Sequence, residues 1–234
     1  MNVIPVIDLK AGQVVQARKG DRKNYRPIQT PLSPSSDPID VVGGLQSVFP
    51  FRVLYIADLD SIGGRGDHAS TIRDIARKFP ALELWVDGGF HEQGPVKDLL
   101  GLASAHAVVG SESQKDASLL EALSNEPRII LSLDSLGARR LDPAEIASRP
   151  ELWPERIIVM TLDRVGAMDG PDLKALHAVR ERCNGRSLYA AGGVRGRDDL
   201  DELQRLGVRG ALVASALHGG ALSSADIERI AAAR

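Results

Sequence analysis

The sequence predicts an α/β protein that folds as a single closed (β/α)8 barrel, or TIM barrel, built from two similar half-barrels. Three observations support this fold class: a length of 234 residues, eight alternations of apolar runs with helical segments, and a set of motifs that occurs once in each half of the chain. We expect one domain over residues 1–234, with half-barrels at about 1–125 and 126–234. An open, doubly wound sheet is the alternative fold.

The expected strands are eight short runs rich in Val, Ile and Leu, each ending near a small or acidic residue. They cover residues 3–8, 53–58, 84–87, 107–110, 129–134, 157–162, 188–191 and 211–214. The segments between them have the apolar spacing of helices, which parallel strands need as crossovers. Prolines at 38 and 171 mark helix starts, and Gly207 marks the end of the seventh helix.

The internal repeat consists of three motifs in the same order in each half. A Leu-Asp-x-x-Gly segment at 59–63 recurs at 162–166, a Gly-Gly pair at 88–89 recurs at 192–193, and a small residue before serine at 110–111 recurs at 214–215. Corresponding positions are 103 or 104 residues apart. Such regular spacing indicates duplication and favours a closed barrel over an open sheet.

Composition and charge exclude several classes of protein. The chain is 43% hydrophobic and 26% charged, with a net charge of −2, which gives no electrostatic basis for a nucleic-acid or membrane partner. No basic leader precedes the first strand, and Cys183 is the only cysteine, so we expect a cytoplasmic protein. The five histidines lack metal-site spacing and the chain has neither a P-loop nor a dinucleotide-binding motif, so we expect no metal and no organic cofactor.

Two aspartates are the first candidates for catalysis. Asp8 and Asp134 end the first and fifth expected strands, on opposite sides of an eight-stranded ring. Active sites of such barrels lie at the carboxyl ends of the strands, and two carboxyl groups across a pocket suit general acid and base catalysis. The alternative is that these aspartates only bind loop amides.

The repeated small residues predict phosphate binding, because they let backbone N–H groups approach an anion closely. The candidates are Gly88, Gly89, Gly110 and Ser111 in the first half, and Gly192, Gly193, Ala214 and Ser215 in the second. Two such sites imply an elongated small-molecule substrate with a phosphate at each end. A tight turn is the alternative for a single Gly-Gly pair.

The loop at residues 10–37 is about 22 residues longer than its counterpart in the second half, and long for this type of connection. It carries Arg18 and four other basic residues between positions 19 and 26. Such a loop could close over an anionic ligand. The alternative is a variable excursion into solvent.

Several motifs together resemble the histidine-biosynthesis barrels, namely the phosphoribosylformimino-aminoimidazole-carboxamide ribotide isomerase and the cyclase subunit of imidazole glycerol phosphate synthase. They are Ile-Pro-Val-Ile-Asp-Leu at 4–9, Lys-Gly-Asp at 19–21, Asp-Gly-Gly at 87–89, Val-Gly-Ser at 109–111, Leu-Asp at 133–134 and Ala-Gly-Gly-Val at 191–194. The resemblance implies a bisphosphorylated ribotide as substrate and an Amadori rearrangement of an aminoaldose. It further implies Asp8 as the base and Asp134 as its partner.

Two departures from the family pattern affect the site. Val165 stands where the family has its general acid, and Asp163 is the nearest replacement, with Asp169 farther away. Asp87 stands where the isomerases have glycine, so it places negative charge beside one expected phosphate.

The Leu-Asp-x-x-Gly segments resemble a divergent branch of these barrels, found in archaea and in bacteria that use tetrahydromethanopterin-type one-carbon cofactors. This resemblance makes Asp60 a site candidate as well as Asp163. Three functions are therefore open: the histidine-pathway isomerase, a step in one-carbon cofactor biosynthesis, and a non-catalytic barrel that binds a phosphorylated metabolite.

Overall fold

Eight parallel strands close into a barrel in the computed structural model, which describes residues 1–232. They are β1 (Asn2–Lys10), β2 (Val53–Asp58), β3 (Glu83–Asp87), β4 (Ala105–Gly110), β5 (Ile129–Leu136), β6 (Arg156–Thr161), β7 (Ser187–Ala191) and β8 (Gly210–Val213). Neighbours in the chain are neighbours in the sheet, and β1 pairs in parallel with β8 from Asn2↔Gly210 to Pro5↔Val213. This pairing confirms the (β/α)8 barrel and excludes the open sheet. The half-barrel boundary stays a prediction, and residues 233–234 of the expected domain lie outside the described residues.

The helices lie in the connections between the strands. They are α1 (Pro38–Val48), α2 (Leu59–Ile62), α3 (Ala69–Lys78), α4 (Gln93–Leu100), α5 (Ser118–Ala122), α6 (Leu173–Arg180), α7 (Arg197–Arg205), α8 (Ser215–His218) and α9 (Ser224–Ala232). The Asp37 carboxylate accepts hydrogen bonds from the N–H groups of Ile39 and Asp40, so α1 begins where Pro38 predicts. None of these helices is long and apolar enough to cross a membrane.

The fifth connection differs from the expected alternation of strand and helix. Between β5 and β6, the chain forms a short antiparallel pairing at Arg139–Arg140 and two 3₁₀ turns, Ile146–Ser148 and Pro150–Leu152. Prolines at 143, 150 and 154 lack the N–H group that a continuous helix needs. The Asp142 carboxylate instead accepts hydrogen bonds from two N–H groups of the first turn.

Two apolar clusters form the core. The larger cluster packs the helices against the outside of the barrel, and the smaller one fills the barrel interior. Inside the barrel, the rings of Trp85 and Tyr189 meet edge to face with their centroids 4.8 Å apart. Large side chains therefore fill the interior, and the open space lies at the carboxyl ends of the strands.

The long loop after β1 lies across this open end of the barrel. The Gly12 N–H donates to His68 Nε2 after β2 (2.9 Å), the Lys19 N–H donates to the Val165 carbonyl after β6 (2.7 Å), and Arg22 pairs with Glu112 after β4 (2.6 Å). The loop thus contacts three other connections and covers the cavity, rather than extending into solvent.

Candidate active site

A cavity opens at the carboxyl ends of the strands. Its ionisable groups are mostly acidic. Four carboxyl groups line it, against the single guanidinium of Arg22 from the covering loop; the four are Asp8, Asp87, Glu112 and Asp134. The three aspartates belong to β1, β3 and β5, because alternate strands direct their side chains into the same layer of a barrel interior.

Asp8 lies on β1 and is 9% exposed. No hydrogen bond or ion pair to the described residues engages its carboxyl group, although it lines the cavity. Burial raises the pKa of Asp8 to about 7, while the nearby charge of Arg22 lowers it and that of Asp87 raises it. A carboxyl group with this pKa gains and loses a proton near neutrality, as a general base must.

Asp134 lies on β5 and is held by its neighbours. Its Oδ1 accepts a hydrogen bond from the Ser132 hydroxyl (2.6 Å), and its Oδ2 accepts one from the Glu112 N–H (3.2 Å). Burial outweighs these contacts and raises the pKa of Asp134 to about 8. Asp134, like Asp8, therefore holds its proton to a higher pH than an exposed aspartate does.

Asp87 completes the acidic group. It accepts hydrogen bonds from the Tyr55 hydroxyl (3.2 Å) and the Gly89 N–H (3.0 Å), and burial raises its pKa to about 6. A Cβ at Gly110 would lie 3.0 Å from Asp134 Oδ2 and 3.9 Å from Asp87 Oδ2, so the absent side chain makes room for both carboxyl groups.

The second-half loops supply the other end of the cavity, where Gly192, Gly193, Ala214 and Ser215 all form part of the lining. Among the described residues, no acceptor binds the N–H groups of Gly193 and Ser215. Gly193 has a φ of 84°, and a Cβ there would collide with the Gly170 carbonyl oxygen. This end can therefore receive an anion on backbone N–H groups.

The first-half loops differ from the second-half loops, and the expectation of two phosphate sites stays a prediction. None of the four expected residues, Gly88, Gly89, Gly110 and Ser111, lines the cavity. The Gly89 N–H donates to Asp87, a Cβ at Gly89 would lie 2.9 Å from the Ile62 Cα, and the Ser111 hydroxyl donates to the Leu141 carbonyl (2.9 Å). The Asp87 carboxylate thus binds one N–H group that was expected to bind a phosphate.

Three other candidates also lie outside the cavity. Asp163 accepts a hydrogen bond from the Gly137 N–H (2.7 Å) and lines a second cleft beside β5 and β6, which shares Asp134 with the cavity. Asp60 accepts from the Ala11 N–H (2.7 Å) and secures the turn after β1. Arg18 is not part of the lining, and Arg22 is the cation that the loop contributes.

Val165 does face the cavity, at the position where the family pattern places a general acid. Its side chain carries no proton to transfer. No cluster of three or more potential metal ligands occurs within residues 1–232. Asp58, an acidic neighbour of Asp60 in sequence, is used structurally, because it accepts hydrogen bonds from the backbone and ring nitrogens of His68.

Glu112 and Arg22 were not identified as site residues from the sequence. Glu112 directly follows the small-residue and serine motif of the first half, and its position there was the available signal. Arg22 was one of several basic residues in the long loop, and only its ion pair with Glu112 distinguishes it.

The raised pKa values of Asp8 and Asp134 predict a loss of stability as the pH rises from about 4 to about 8. In this range the unfolded chain has released these protons, since an ordinary aspartate has a pKa of 3.8, while the folded chain holds them up to pKa values of about 7 and about 8. The lowered pKa of His218, about 4, acts in the opposite direction between about pH 4 and 6.5, so the loss due to the two aspartates is clearest between about pH 6.5 and 8. Urea unfolding at several pH values measures the slope, and Asp8→Asn should reduce it; an unchanged slope would contradict the assignment.

A (β/α)8 barrel with buried carboxyl groups and free backbone N–H groups at its carboxyl end belongs to the class of barrels with a ligand site at the strand ends. A family model described as "Histidine biosynthesis protein" matches residues 2–223, and the chain belongs to this family.

Curated relatives match over nearly their whole length. An uncharacterised protein of Methanocaldococcus jannaschii is 31% identical over 236 residues, covering 98% of this chain and 97% of the relative. Two proteins named 1-(5-phosphoribosyl)-5-((5-phosphoribosylamino)methylideneamino)imidazole-4-carboxamide isomerase are each 30% identical. The one from Halothermothrix orenii covers 95% of this chain and 96% of its own length, and the one from Gemmatimonas aurantiaca covers 99% and 98%. The family expected from the sequence is thus confirmed.

Proposed function

We propose that this protein is an isomerase-type enzyme that moves a proton within a phosphorylated sugar derivative. The observation that carries the proposal is the pair of buried carboxyl groups that line one cavity, Asp8 without a hydrogen-bond partner and Asp134 held by Ser132 and the Glu112 N–H. Burial raises the pKa of both, to about 7 and about 8, so both can exchange a proton near neutrality. In this proposal Asp8 is the base, and Asp134 is the acid.

In an aldose-to-ketose rearrangement of a glycosylamine, Asp134 donates a proton to the ring oxygen as the C1–O bond breaks and the ring opens. Asp8 then removes the hydrogen from C2, and the electron pair of that C–H bond forms a C1–C2 double bond as the C1–N iminium is neutralised. Asp8 returns the proton to C1 and the C2 hydroxyl gives its proton to Asp134, so that the C2 carbonyl of the aminoketose forms, both carboxyl groups are restored and there is no net oxidation. The phosphate of the substrate binds the N–H groups at Gly193 and Ser215, which places the sugar between the two aspartates.

The relatives named as isomerases support this chemistry. The substrate in their name is not assigned to this chain, because the site departs from the family pattern. Val165 in the cavity wall favours a second candidate, a barrel that binds a phosphorylated metabolite without turnover. The one-carbon branch and a cytoplasmic location stay predictions.

Hydrogen exchange at C2 tests the proposal. The protein is incubated in D₂O with ribose 5-phosphate, glucosamine 6-phosphate and the ribotide named for the relatives, and loss of the C2 proton signal is followed by NMR. We expect exchange with at least one of these compounds that Asp8→Asn abolishes. Absence of exchange above the Asp8→Asn rate with all three would favour the binding protein.

A further inference from the structure

The two ends of the cavity differ in charge, and the difference bears on the substrate. We infer that the substrate carries one phosphate, not two, and that its other end is an amine bound as a cation beside Asp87 and Glu112. This inference rests on the proposed function, because it assigns the substrate class of the same cavity. It excludes a bisphosphate as the preferred ligand.

The acidic end of the cavity offers hydrogen-bond acceptors but no group that is available to bind an anion. Among the lining groups there, Glu112 already holds Arg22 at 2.6 Å, so the one cation of the cavity is not free to receive a phosphate. The Gly89 N–H already donates a hydrogen bond to Asp87, and the Glu112 N–H already donates one to Asp134. A phosphate placed here would meet several carboxyl groups at short range, which is electrostatically unfavourable.

Asp8 provides an independent sign that a donor is missing. It is nine-tenths buried, it lines the cavity, and no hydrogen bond or ion pair to the described residues satisfies it. The Asp8 oxygens are not among the fully enclosed polar atoms, so they face the cavity, where a donor of the ligand can reach them. An ammonium group has three donors and a positive charge, and it suits the carboxyl oxygens of Asp87 and Glu112.

Two aromatic rings frame the same end. The Tyr55 hydroxyl donates a hydrogen bond to Asp87. Burial, and after it the nearby charge of Asp8, raises the pKa of Tyr25 in the covering loop. Both side chains line the cavity. Carboxylates combined with aromatic rings are suited to binding organic cations.

Matched ligands test this inference by calorimetry. Aminoalkyl phosphates with chains of three to six carbons are each compared with the hydroxyalkyl phosphate and the alkyl bisphosphate of the same length. A charge-assisted hydrogen bond contributes about 1.5–3 kcal/mol, so at the best length we expect the amine to bind about tenfold or more tightly than the alcohol. The bisphosphate should bind more weakly than the amine.

Variants assign the preference to the acidic end. Asp87→Asn and Glu112→Gln keep the size of the side chains, and each should reduce the amine-to-alcohol affinity ratio several-fold while affinity for the alcohol changes little. Asp163→Asn, outside the cavity, is the matched control and should keep the ratio.

Tighter binding of the bisphosphate at every length, or a ratio unchanged in both cavity variants, would overturn the inference. The proposed function would survive that result, because the C2 exchange assay depends on Asp8 and not on the identity of the distal group. If no C2 exchange occurs but the preference for the amine is observed, the proposed function is contradicted and the assignment of an amine to the acidic end is not.

Discussion

Replacing Asp8 with asparagine is expected to lower kcat by a factor of about 100 to 10,000, the usual contribution of a general base. Asparagine has nearly the same shape and cannot accept the C2 proton. The fold should persist, since the Asp8 carboxyl group makes no hydrogen bond that the change would break, and the free energy of unfolding near pH 8 should stay equal or rise because a buried charge is removed. Steady-state kinetics and urea unfolding measure the two effects.

The matched control for this variant is Asp163→Asn. Asp163 belongs to the repeat and was a catalytic candidate from the sequence, but its carboxylate binds the Gly137 N–H outside the cavity. We expect its kcat to remain within about threefold of the wild type, as is usual for a group that does not touch the substrate. Equal losses in the two variants, or full activity of Asp8→Asn, would exclude Asp8 as the base.

Replacing Ser215 with aspartate is expected to weaken binding of inorganic phosphate by at least about tenfold, because it places a like charge beside the anion at short range. Ser215 lines the cavity at the first residue of α8, and neither its N–H nor its hydroxyl has an acceptor among the described residues. Isothermal titration with phosphate measures the loss.

Ser215→Asn is the neutral control, with nearly the volume of aspartate. If steric crowding alone mattered, both variants would lose affinity equally, and the proposed phosphate end would not be supported. A loss confined to Ser215→Asp, which decreases at high salt, is the expected signature of charge repulsion.

The barrel itself was predictable from the sequence, but the structure of the connection between β5 and β6 was not. Apolar runs such as residues 129–134 carry their signal locally, so all eight strands were found to within a few residues. The segment between β5 and β6 was expected to contain a helix because the other units do. Its prolines at 143, 150 and 154 oppose that expectation, and in this case local chemistry outweighs the repeat.

The candidate site was only partly predictable, because the repeat does not specify where neighbouring side chains point. Asp8 and Asp134 were found from their positions at strand ends, and both line the cavity. The Gly88–Gly89 pair looked equivalent to Gly192–Gly193, yet Asp87 turns its carboxylate onto the Gly89 N–H and removes that donor. The role of Glu112 depends on its ion pair with Arg22, a contact across 90 residues that no local pattern encodes.

We propose that the two halves of this barrel, although similar in sequence, provide one phosphate end and one acidic end. Anomalous diffraction from crystals soaked in tungstate, a phosphate mimic, tests this difference most directly. We expect one strong peak per chain, within hydrogen-bond distance of the Gly193 and Ser215 N–H groups, and none near Gly89 and Ser111. A second peak of similar height at the first-half loops would contradict it.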